Sequence, residues 1–432
     1  MKDSPKKNIV ILGNGISGIT AARHLRKRTD RPITIISEEH PYFFSRTALM
    51  YVYMGHMPFE ATQPYENDFW KKNNLNCIQA SVKNINGQKK YLEFKNGETM
   101  SFDVLIIASG SKPNQLSCPG NDLDGVHGMY HKQDLDRLES LSHSIKSAVI
   151  VGGGLIGIEL AEMLHSRGKK VTLIVRENSF WNRVLPDAES KMINSHIEAH
   201  GIRLLLETEL KAINPSEQGG VKEVITNKGE VIPCEYVGST IGVSPNVDFL
   251  KDSGITLGRG VLVNSFLETN LPDIYAIGDC AEQTQPQINR RPIEAVWYTG
   301  RIMGETLANT LCGKREQYQP NHWFNSAKFF DIEYQTYGRV EAEPDPKDQK
   351  QFYWQHQSKN QLLRLSYHPE TEILQGVNVM GIRMRHKIFE QWLDQNKTLE
   401  EVIDRLQEAY FDPEFSKNPI AKIKADFALI KQ

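Results

Sequence analysis

Two copies of one local pattern constrain this chain more than any other feature of its sequence. In each copy an apolar strand runs into the spacing Gly-x-Gly-x-x-Gly and then into a helical stretch. The copies read NIVILGNGISGITAARHLRKR from Asn8 and AVIVGGGLIGIELAEMLHSRG from Ala148. A further apolar strand follows each helix, which completes the βαβ unit of a parallel sheet. The copies lie about 140 residues apart, a spacing typical of two domains rather than of a repeat array.

The glycine spacing indicates dinucleotide binding. The first glycine permits a tight turn, the second lets the backbone approach a pyrophosphate, and the third brings helix and strand together. The amides at the helix N-terminus then face the phosphates. These positions are Gly13, Gly15 and Gly18 in the first copy and Gly152, Gly154 and Gly157 in the second. A chain with two dinucleotide sites most simply passes electrons between two dinucleotides.

The second strand of each copy ends in residues that distinguish the two sites. Glu38 stands 20 residues beyond Gly18, where a carboxylate accepts hydrogen bonds from an adenosine ribose, and Glu39 is the alternative for this role. Aligning ITIISEE with VTLIVRE places Arg176 opposite Glu38. An arginine accommodates a ribose 2′-phosphate, so the second site is predicted to prefer NADPH. Arg183 could join Arg176, whereas Glu177 keeps NADH open.

Composition excludes several other classes of function. The formal net charge of −2 gives no electrostatic case for nucleic acid or an anionic membrane surface. No apolar run reaches the length of a membrane helix, and the N-terminus lacks the features of a signal peptide. The five cysteines are scattered without a Cys-x-x-Cys pair, so we expect free thiols, no metal site and a cytoplasmic location.

Three further segments resemble the pyridine nucleotide-disulfide oxidoreductase superfamily, over essentially the whole chain. They are IIASGSKP from Ile106, TNLPDIYAIGDCAE from Thr269 and AVWYTGRIMGETLA from Ala295. The resemblance implies a glutathione reductase-like α/β fold with FAD in the first site, and it places Glu159 near the nicotinamide and flavin N5. The further cofactor-binding residues that it implies are Ala108, Gly110, Gly242, Gly278, Asp279, Ala295, Val296 and Trp297.

The same resemblance implies three domains. Residues 1–120 and 248–320 would form a split FAD domain, residues 121–247 the NAD(P) domain, and residues 321–432 an α+β interface domain of a homodimer. YHPETEILQGVNVMG resembles the hairpin of that last domain, with His368 in the turn, and EAYFDPEFSKNPI around Tyr410 resembles a stretch near the end of NADH oxidases.

The segment YFFSRTALMYVYMGHM, residues 42–57, departs from the disulfide-reducing members. Thr47 stands where they carry a redox cysteine, and no cysteine precedes Cys77. A threonine hydroxyl cannot form a thiolate or a mixed disulfide. The segment instead resembles the Arg-x-x-Leu of ferredoxin, rubredoxin and nitrite reductase flavoproteins, which implies that Arg46 lies against the FAD pyrophosphate or ring edge.

The sequence therefore predicts an FAD-dependent NAD(P)H oxidoreductase. Hydride would pass from NAD(P)H to FAD, and electrons would then pass to a small redox protein of the ferredoxin or rubredoxin type. Glu159, Arg46 and Thr47 are the candidate catalytic residues. The alternatives are an NAD(P)H oxidase or quinone reductase and, in another class, a nucleotide-bound signalling protein.

Overall fold

The structure is a computed structural model, and it describes residues 7–411 and 417–430. The chain forms two compact units. The first comprises the described residues of Met1–Leu116, His127–Ser144 and Ile241–Pro320. The second comprises those of Ser117–Val126, Ile145–Thr240 and Asn321–Gln432.

A five-stranded parallel sheet forms the centre of the first unit. Its middle strand, Ile9–Leu12, is buried along its whole length, because helices cover both faces of such a sheet and every side chain must be apolar. The helices Ile16–Arg26 and Trp297–Leu311 pack together beside it. In spatial order the strands are Ile274–Ala276, Val104–Ile107, Ile9–Leu12, Ile33–Ser37 and Leu75–Gln79.

Smaller elements complete the first unit. The antiparallel strands are Val82–Asn86, Tyr91–Phe94 and Thr99–Ser101, together with the pair Ser111–Pro113 and Val243–Pro245. Val261–Val263 pairs in parallel with Ala281–Gln283. The remaining helices are Leu49–Tyr53, Phe69–Lys72 and Lys132–Leu141, with 3-10 turns at Arg46–Ala48, Phe59–Thr62, Asp248–Leu250 and Gly278–Cys280.

The second unit repeats the parallel-sheet design. Its strands, in spatial order, are Arg203–Leu205, Lys170–Ile174, Ser147–Val151, Tyr236–Ser239 and Val126–His127. The helices Leu155–Ser166 and Asp187–Ala199 accompany it. An antiparallel sheet follows, made of Leu210–Pro215, Val221–Thr226 and Val231–Pro233.

The C-terminal part of the second unit is α+β, as predicted. Its antiparallel sheet has the order Phe324–Phe329, Ile332–Gly338, Leu374–Met380, Leu362–Tyr367 and Lys350–Gln355. Its helices are His386–Asp394, Leu399–Asp404, Leu406–Ala409 and Ile420–Ile430. His368 lies in the turn between two of these strands, where its ring nitrogen accepts hydrogen bonds from two backbone amides.

The backbone turns at Gly242, where φ is +95°, so Tyr236–Ser239 and Val243–Pro245 are separate strands, and the second of them pairs with Ser111–Pro113. The three-domain division stays a prediction. In the stretch around Tyr410, residues 412–416 lie outside the described residues. In the described part of the chain, no helix is long and apolar enough to cross a membrane.

Candidate dinucleotide-binding sites

The first glycine motif forms the turn that its spacing predicts. Gly13 has a φ of +108°, and a Cβ there would lie 2.0 Å from the carbonyl oxygen of Ala108. A Cβ on Gly18 would lie 2.1 Å from the carbonyl oxygen of Gly13. A Cβ on Gly15 would meet nothing within 4 Å. Packing therefore requires the outer two glycines, whereas the middle one leaves open space above the uncapped N-terminus of the helix Ile16–Arg26.

The second motif repeats this arrangement closely. A Cβ on Gly152, where φ is +127°, would lie 2.4 Å from the carbonyl oxygen of Thr240. A Cβ on Gly157 would lie 2.2 Å from the carbonyl oxygen of Gly152, and one on Gly154 would meet nothing within 4 Å. At the middle glycine of each turn there is thus open space that a Cβ would occupy, beside the uncapped amides of the helix N-terminus. Both fit a pyrophosphate on these grounds.

Backbone hydrogen bonds establish which residues of the two units are equivalent. The amide of Gly13 donates to the carbonyl of Ile36 at 2.8 Å, and the amide of Gly152 donates to that of Ile174 at 3.0 Å. Two residues beyond these carbonyls stand Glu38 and Arg176. Glu38 and Arg176 are therefore equivalent in the structure, as the sequence alignment of the two sites has them.

The neighbouring carboxylates Glu38 and Glu39 lie in different environments. The side chain of Glu38 is 67% exposed and pairs at the surface with Lys95 at 2.9 Å. The side chain of Glu39 is 14% exposed and accepts the backbone amide of Lys132 at 2.8 Å. Burial alone would raise the pKa of Glu39, but hydrogen bonds from His131 and Arg46 lower it to about 2. Glu38 is therefore the carboxylate that is free to turn towards a ribose.

Arg46 is the principal partner of Glu39. Its two terminal nitrogens lie 3.0 and 2.5 Å from the two carboxylate oxygens, in a bidentate pair. One of them also donates to the carbonyl of Tyr130 at 2.5 Å, and the guanidinium lies 4.7 Å from the centre of the Tyr130 ring. Thr47, the next residue, is exposed, with its hydroxyl 3.3 Å from that of Ser45. The sequence did not predict that Arg46 is bound to a carboxylate.

Asp279 follows a glycine that packing requires. A Cβ on Gly278, where φ is +75°, would lie 2.3 Å from the hydroxyl of Ser17 in the helix of the first glycine motif. Asp279 accepts a hydrogen bond from the Ser111 hydroxyl at 3.0 Å. Burial raises the pKa of this carboxyl, although Ser111 and the charge of Arg46 oppose the shift. Asp279 and Arg46 thus belong to one polar group in the first unit.

The helix that begins at Trp297 approaches the first glycine motif through two further glycines. A Cβ on Gly300 or Gly304 would lie 2.4 or 2.6 Å from atoms of Ser17. No side chain caps the helix after Ala295 and Val296, and Trp297 is 48% exposed. Their spacing of four residues places both glycines on one side of the helix, which lets it approach Ser17 closely.

The segments around Gly110 and Gly242 lie together in the first unit. Both glycines have positive φ, +68° and +95°. The amide of Asn246 donates to the carbonyl of Gly110 at 2.9 Å, and the amide of Asn114 donates to that of Gly242 at 3.0 Å. The two predicted contacts are therefore held side by side.

The second unit holds the remaining predicted residues. Glu159 is half-buried on the helix Leu155–Ser166, and burial, aided by the charge of Glu162, raises its pKa to about 7. Glu162 pairs with Lys328 at 3.1 Å. Arg176 and Arg183 are both exposed and both contact the Glu177 carboxylate, at 2.9 and 3.4 Å. Two guanidinium groups therefore lie close together after the strand Lys170–Ile174, which follows the second glycine turn.

All five cysteines lie in the described part of the chain, and none is in a disulfide. Burial raises the pKa of Cys77 to about 11 and that of Cys234 to about 12, and it also raises the pKa of Cys118, Cys280 and Cys312. Redox chemistry of cysteine proceeds through the thiolate. None of these thiols is therefore prepared for exchange with a disulfide near neutral pH.

Comparison with known proteins assigns the class. Residues 7–299 match the pyridine nucleotide-disulphide oxidoreductase family, and the chain belongs to this family. The family and the α/β fold predicted from the sequence are both confirmed. The fold is that of a solved NAD-dependent persulfide reductase from A. fulgidus, which has 21% identity and a TM-score of 0.85 over 98% of this chain and 83% of that one.

One curated relative is named as an electron transfer subunit and another as a rubredoxin reductase. The chain is 26% identical to the assimilatory nitrate reductase electron transfer subunit of Bacillus subtilis (strain 168) over 343 residues, 78% of this chain and 43% of that protein. It is 33% identical to the rubredoxin-NAD(+) reductase of Acinetobacter baylyi over 282 residues, 63% of this chain and 72% of that protein. The chain thus spans less than half the length of the nitrate reductase relative.

Proposed function

We propose that the protein is an FAD-dependent NAD(P)H oxidoreductase that delivers electrons to a small redox protein without using a cysteine. The twin glycine turns carry this proposal. Each has a middle glycine, Gly15 or Gly154, whose missing Cβ leaves open space at an uncapped helix N-terminus. Membership of a pyridine nucleotide oxidoreductase family and the names of the electron-transfer relatives support it.

FAD would bind in the first unit, where it supplies the ability to take up a hydride and to release electrons one at a time. Helix amides beyond Gly15 would bind its pyrophosphate, and Glu38 would accept hydrogen bonds from its ribose. Asp279 would accept a hydroxyl hydrogen bond, with the Ser111 hydroxyl orienting the carboxylate. The uncapped helix at Trp297 would place its positive end towards negative charge.

The nicotinamide nucleotide would bind in the second unit. Amides beyond Gly154 would hold its pyrophosphate, and Glu159 would act on the nicotinamide side. Because its pKa is raised to about 7, Glu159 exists in both protonation states near neutral pH. On the same helix, Lys328 partly neutralises the negative charge of Glu162 by pairing with it.

The finer specificity rests on Arg176 and Arg183. Both guanidinium groups are exposed and share the Glu177 carboxylate, so a ribose 2′-phosphate would add an anion to an existing cationic pair. We propose NADPH as the preferred donor on this ground. The sequence alternative, NADH, would use Glu177 itself as the acceptor for a free 2′-hydroxyl.

Two observations support a small redox protein as the electron acceptor. One is the state of the cysteines, and the other is the names of the relatives. With the pKa of every cysteine raised, no thiol of the described residues is prepared to relay electrons to a disulfide or peroxide. Direct transfer from the flavin to an iron centre of a small protein requires no nucleophile from the chain.

The test is anaerobic stopped-flow reduction of the FAD-loaded protein with NADPH and with NADH, followed by mixing with acceptors. We expect rapid flavin bleaching and rapid reoxidation by a ferredoxin or rubredoxin, with slow reoxidation by O2 or a quinone. Reoxidation that is fastest with O2 or a quinone would overturn the acceptor assignment. Flavin reduction slower than any plausible turnover would overturn the enzymatic proposal altogether.

The remaining proposals concern the context of the protein. We propose a cytoplasmic homodimer whose chains each have three domains: an FAD domain (1–120 and 248–320), an NAD(P) domain (121–247) and an interface domain (321–432). Light scattering during gel filtration tests the dimer, and a mass of one chain would contradict it.

A further inference from the structure

A cluster of metal-binding side chains lies in the second unit, on elements that the dinucleotide chemistry does not use. His196 and His200 stand four residues apart at the end of the helix Asp187–Ala199, with Asp331 beside them. One potential ligand atom from each residue lies within 4.8 Å of the other two. Histidines at this spacing project from one side of a helix, which is the spacing used in many zinc sites.

His200 already has the orientation that metal binding requires, and His196 reaches it when one neighbouring amide is turned over. In His200, Nδ1 lies 2.9 Å from the carbonyl oxygen of His196, which leaves Nε2 as the free ligand atom. His196 has 6% of its side chain exposed, and its Nδ1 lies 3.1 Å from the side-chain amide of Asn360. Rotation of that amide presents its oxygen to Nδ1, because nitrogen and oxygen have the same shape there. The Nε2 lone pair of His196 is then free for a cation.

The buried Nε2 of His196 faces the carboxylate of Asp331. Among the residues that the structure describes, it has no hydrogen-bond partner of acceptable geometry, although Asp331 Oδ1 lies 2.6 Å away. The same carboxylate oxygen lies 4.0 Å from Nε2 of His200. One carboxylate oxygen thus faces both imidazole nitrogens, in a group that is buried on the His196 side and open to solvent on the side of Asp331, which is 78% exposed.

A strained hairpin holds Asp331 in this position. Phe330 and Asp331 form the two-residue link between the strands Phe324–Phe329 and Ile332–Gly338. Phe330 has a φ of +56°, which costs an aromatic residue conformational energy. Its ring stacks on His200 with centroids 4.2 Å apart and an interplanar angle of 17°. This stack offsets the strain and keeps the carboxylate beside the helix.

We propose that His196, His200 and Asp331 form a binding site for one divalent transition-metal ion of the Zn²⁺ class. Two imidazoles and one carboxylate are a donor set typical of Zn²⁺, with water in the fourth position. The ion would connect the helix Asp187–Ala199 to the hairpin at Phe330. The same helix is already joined to the C-terminal sheet by the buried pair of Glu189 and Arg364, at 2.6 Å, and the ion would add a second connection between them. Binding releases any proton carried by His196 Nε2 to solvent.

The test uses the FAD-loaded full chain, freed of any affinity tag and treated with a chelator. Zn²⁺ is titrated calorimetrically, Co²⁺ by its visible absorption, and thermal unfolding is followed with and without Zn²⁺. We expect one ion per chain, a tetrahedral Co²⁺ spectrum and a raised unfolding temperature. Absence of saturable binding to the unaltered chain overturns the proposal.

Three variants locate the ion. His200→Gln and Asp331→Asn each remove one ligand atom with little change of shape, and we expect each to weaken Zn²⁺ binding by at least about tenfold. His143→Gln, at an exposed histidine of the other unit, should bind as the unaltered chain does. Equal affinity in all three variants overturns the assignment. If His200→Gln does not fold, the exposed turn residue Asp331 decides the question.

Discussion

Arg46 holds the carboxylate of Glu39 with both of its terminal nitrogens, 3.0 and 2.5 Å from the two oxygens. This pair occupies the place where the sequence led us to expect an arginine facing the flavin. The carboxylate next to it in sequence, Glu38, is left exposed. The glutamates therefore divide two tasks, since Glu39 fixes the loop after the second strand and Glu38 is available to a ligand.

The first prediction is that the pair of Arg46 and Glu39 stabilises the fold. Removing one partner leaves a largely buried charge, so Arg46→Ala should lower the free energy of unfolding by about 2 kcal/mol. The double variant with Glu39→Gln should cost less than the sum of the single changes. Chemical denaturation at pH 7 measures both effects.

The exposed pair of Glu38 and Lys95 provides the matched control. Lys95→Ala should change the free energy of unfolding by less than about 0.5 kcal/mol, since both side chains are mostly solvated. The depressed pKa of Glu39 also fixes a pH dependence. Stabilisation by its charge is complete above pH 4.5 and is lost as the pH falls towards 2, a loss that should be smaller in Arg46→Ala. An equal acid response in both proteins would contradict the assignment.

The second prediction separates the two kinds of glycine. Gly13→Ala places a methyl group 2.0 Å from a carbonyl oxygen at a φ of +108°, so we expect loss of several kcal/mol or failure to fold. Gly154→Ala meets no atom within 4 Å and has a φ of −119°, so the protein should remain as stable as before. Thermal unfolding measures this contrast.

The middle-glycine variants, which should fold normally, are expected to bind their cofactors more weakly. With Gly154→Ala, the added methyl fills the space proposed for the nucleotide pyrophosphate, and we expect KM for NADPH to rise at least about tenfold. Gly15→Ala should in turn weaken FAD retention during dialysis while leaving nucleotide binding unchanged. Normal nucleotide affinity in Gly154→Ala would exclude the second glycine turn as the site.

The sequence predicted the two glycine turns because the pattern that marks them is local, although the carbonyl groups that exclude a Cβ at Gly13 and Gly152 belong to the distant residues Ala108 and Thr240. A strand, three glycines and a helix within about a dozen residues determine the conformation, so Gly13 and Gly152 could be assigned without knowing the fold. The equivalence of Glu38 and Arg176 also followed from a local alignment, and the hydrogen bonds of the two turns have the same register.

What the sequence could not supply depends on residues far apart in the chain. Arg46 contacts the carbonyl of Tyr130, 84 positions away, and no local pattern announces such a contact. The approach of Asp331 to His196 has the same origin, because a hairpin of the C-terminal sheet places the carboxylate beside the imidazole. The turn at Gly242 also depends on a distant segment, because Val243–Pro245 pairs with Ser111–Pro113, more than 120 positions away.

The third prediction concerns the choice of nucleotide. Arg176→Gln removes a guanidinium without changing the fold, because the side chain is 60% exposed. A charge-assisted bond to a 2′-phosphate is worth about 1.5–3 kcal/mol, so kcat/KM for NADPH should fall about tenfold or more. That for NADH should stay the same. Lys95→Gln, an exposed cation of the first unit, is the control. Equal losses with both nucleotides would mean that Arg176 does not read the 2′ position.

The last prediction follows from the raised pKa of Glu159. Between its ordinary value of 4.5 and about 7, the folded chain keeps a proton that the unfolded chain has lost, so unfolding releases a proton. The stability of the nucleotide-free protein should therefore fall as the pH rises from 4.5 to about 7, and level off above that. In Glu159→Gln this part of the pH dependence disappears. At pH 8 the variant should be more stable than the unaltered chain by about 2 kcal/mol, and at pH 4 the two should agree.

Denaturant unfolding from pH 4 to pH 8 measures this difference, and Glu162→Gln supplies a second reading. Because the charge of Glu162 helps to raise the pKa of Glu159, its removal should move the fall in stability to lower pH. It also leaves Lys328 without its carboxylate, so a constant loss at every pH is expected in addition. A Glu159→Gln profile parallel to that of the unaltered chain would show that this carboxyl titrates normally, and a neutral form of Glu159 beside the nicotinamide would then have no basis.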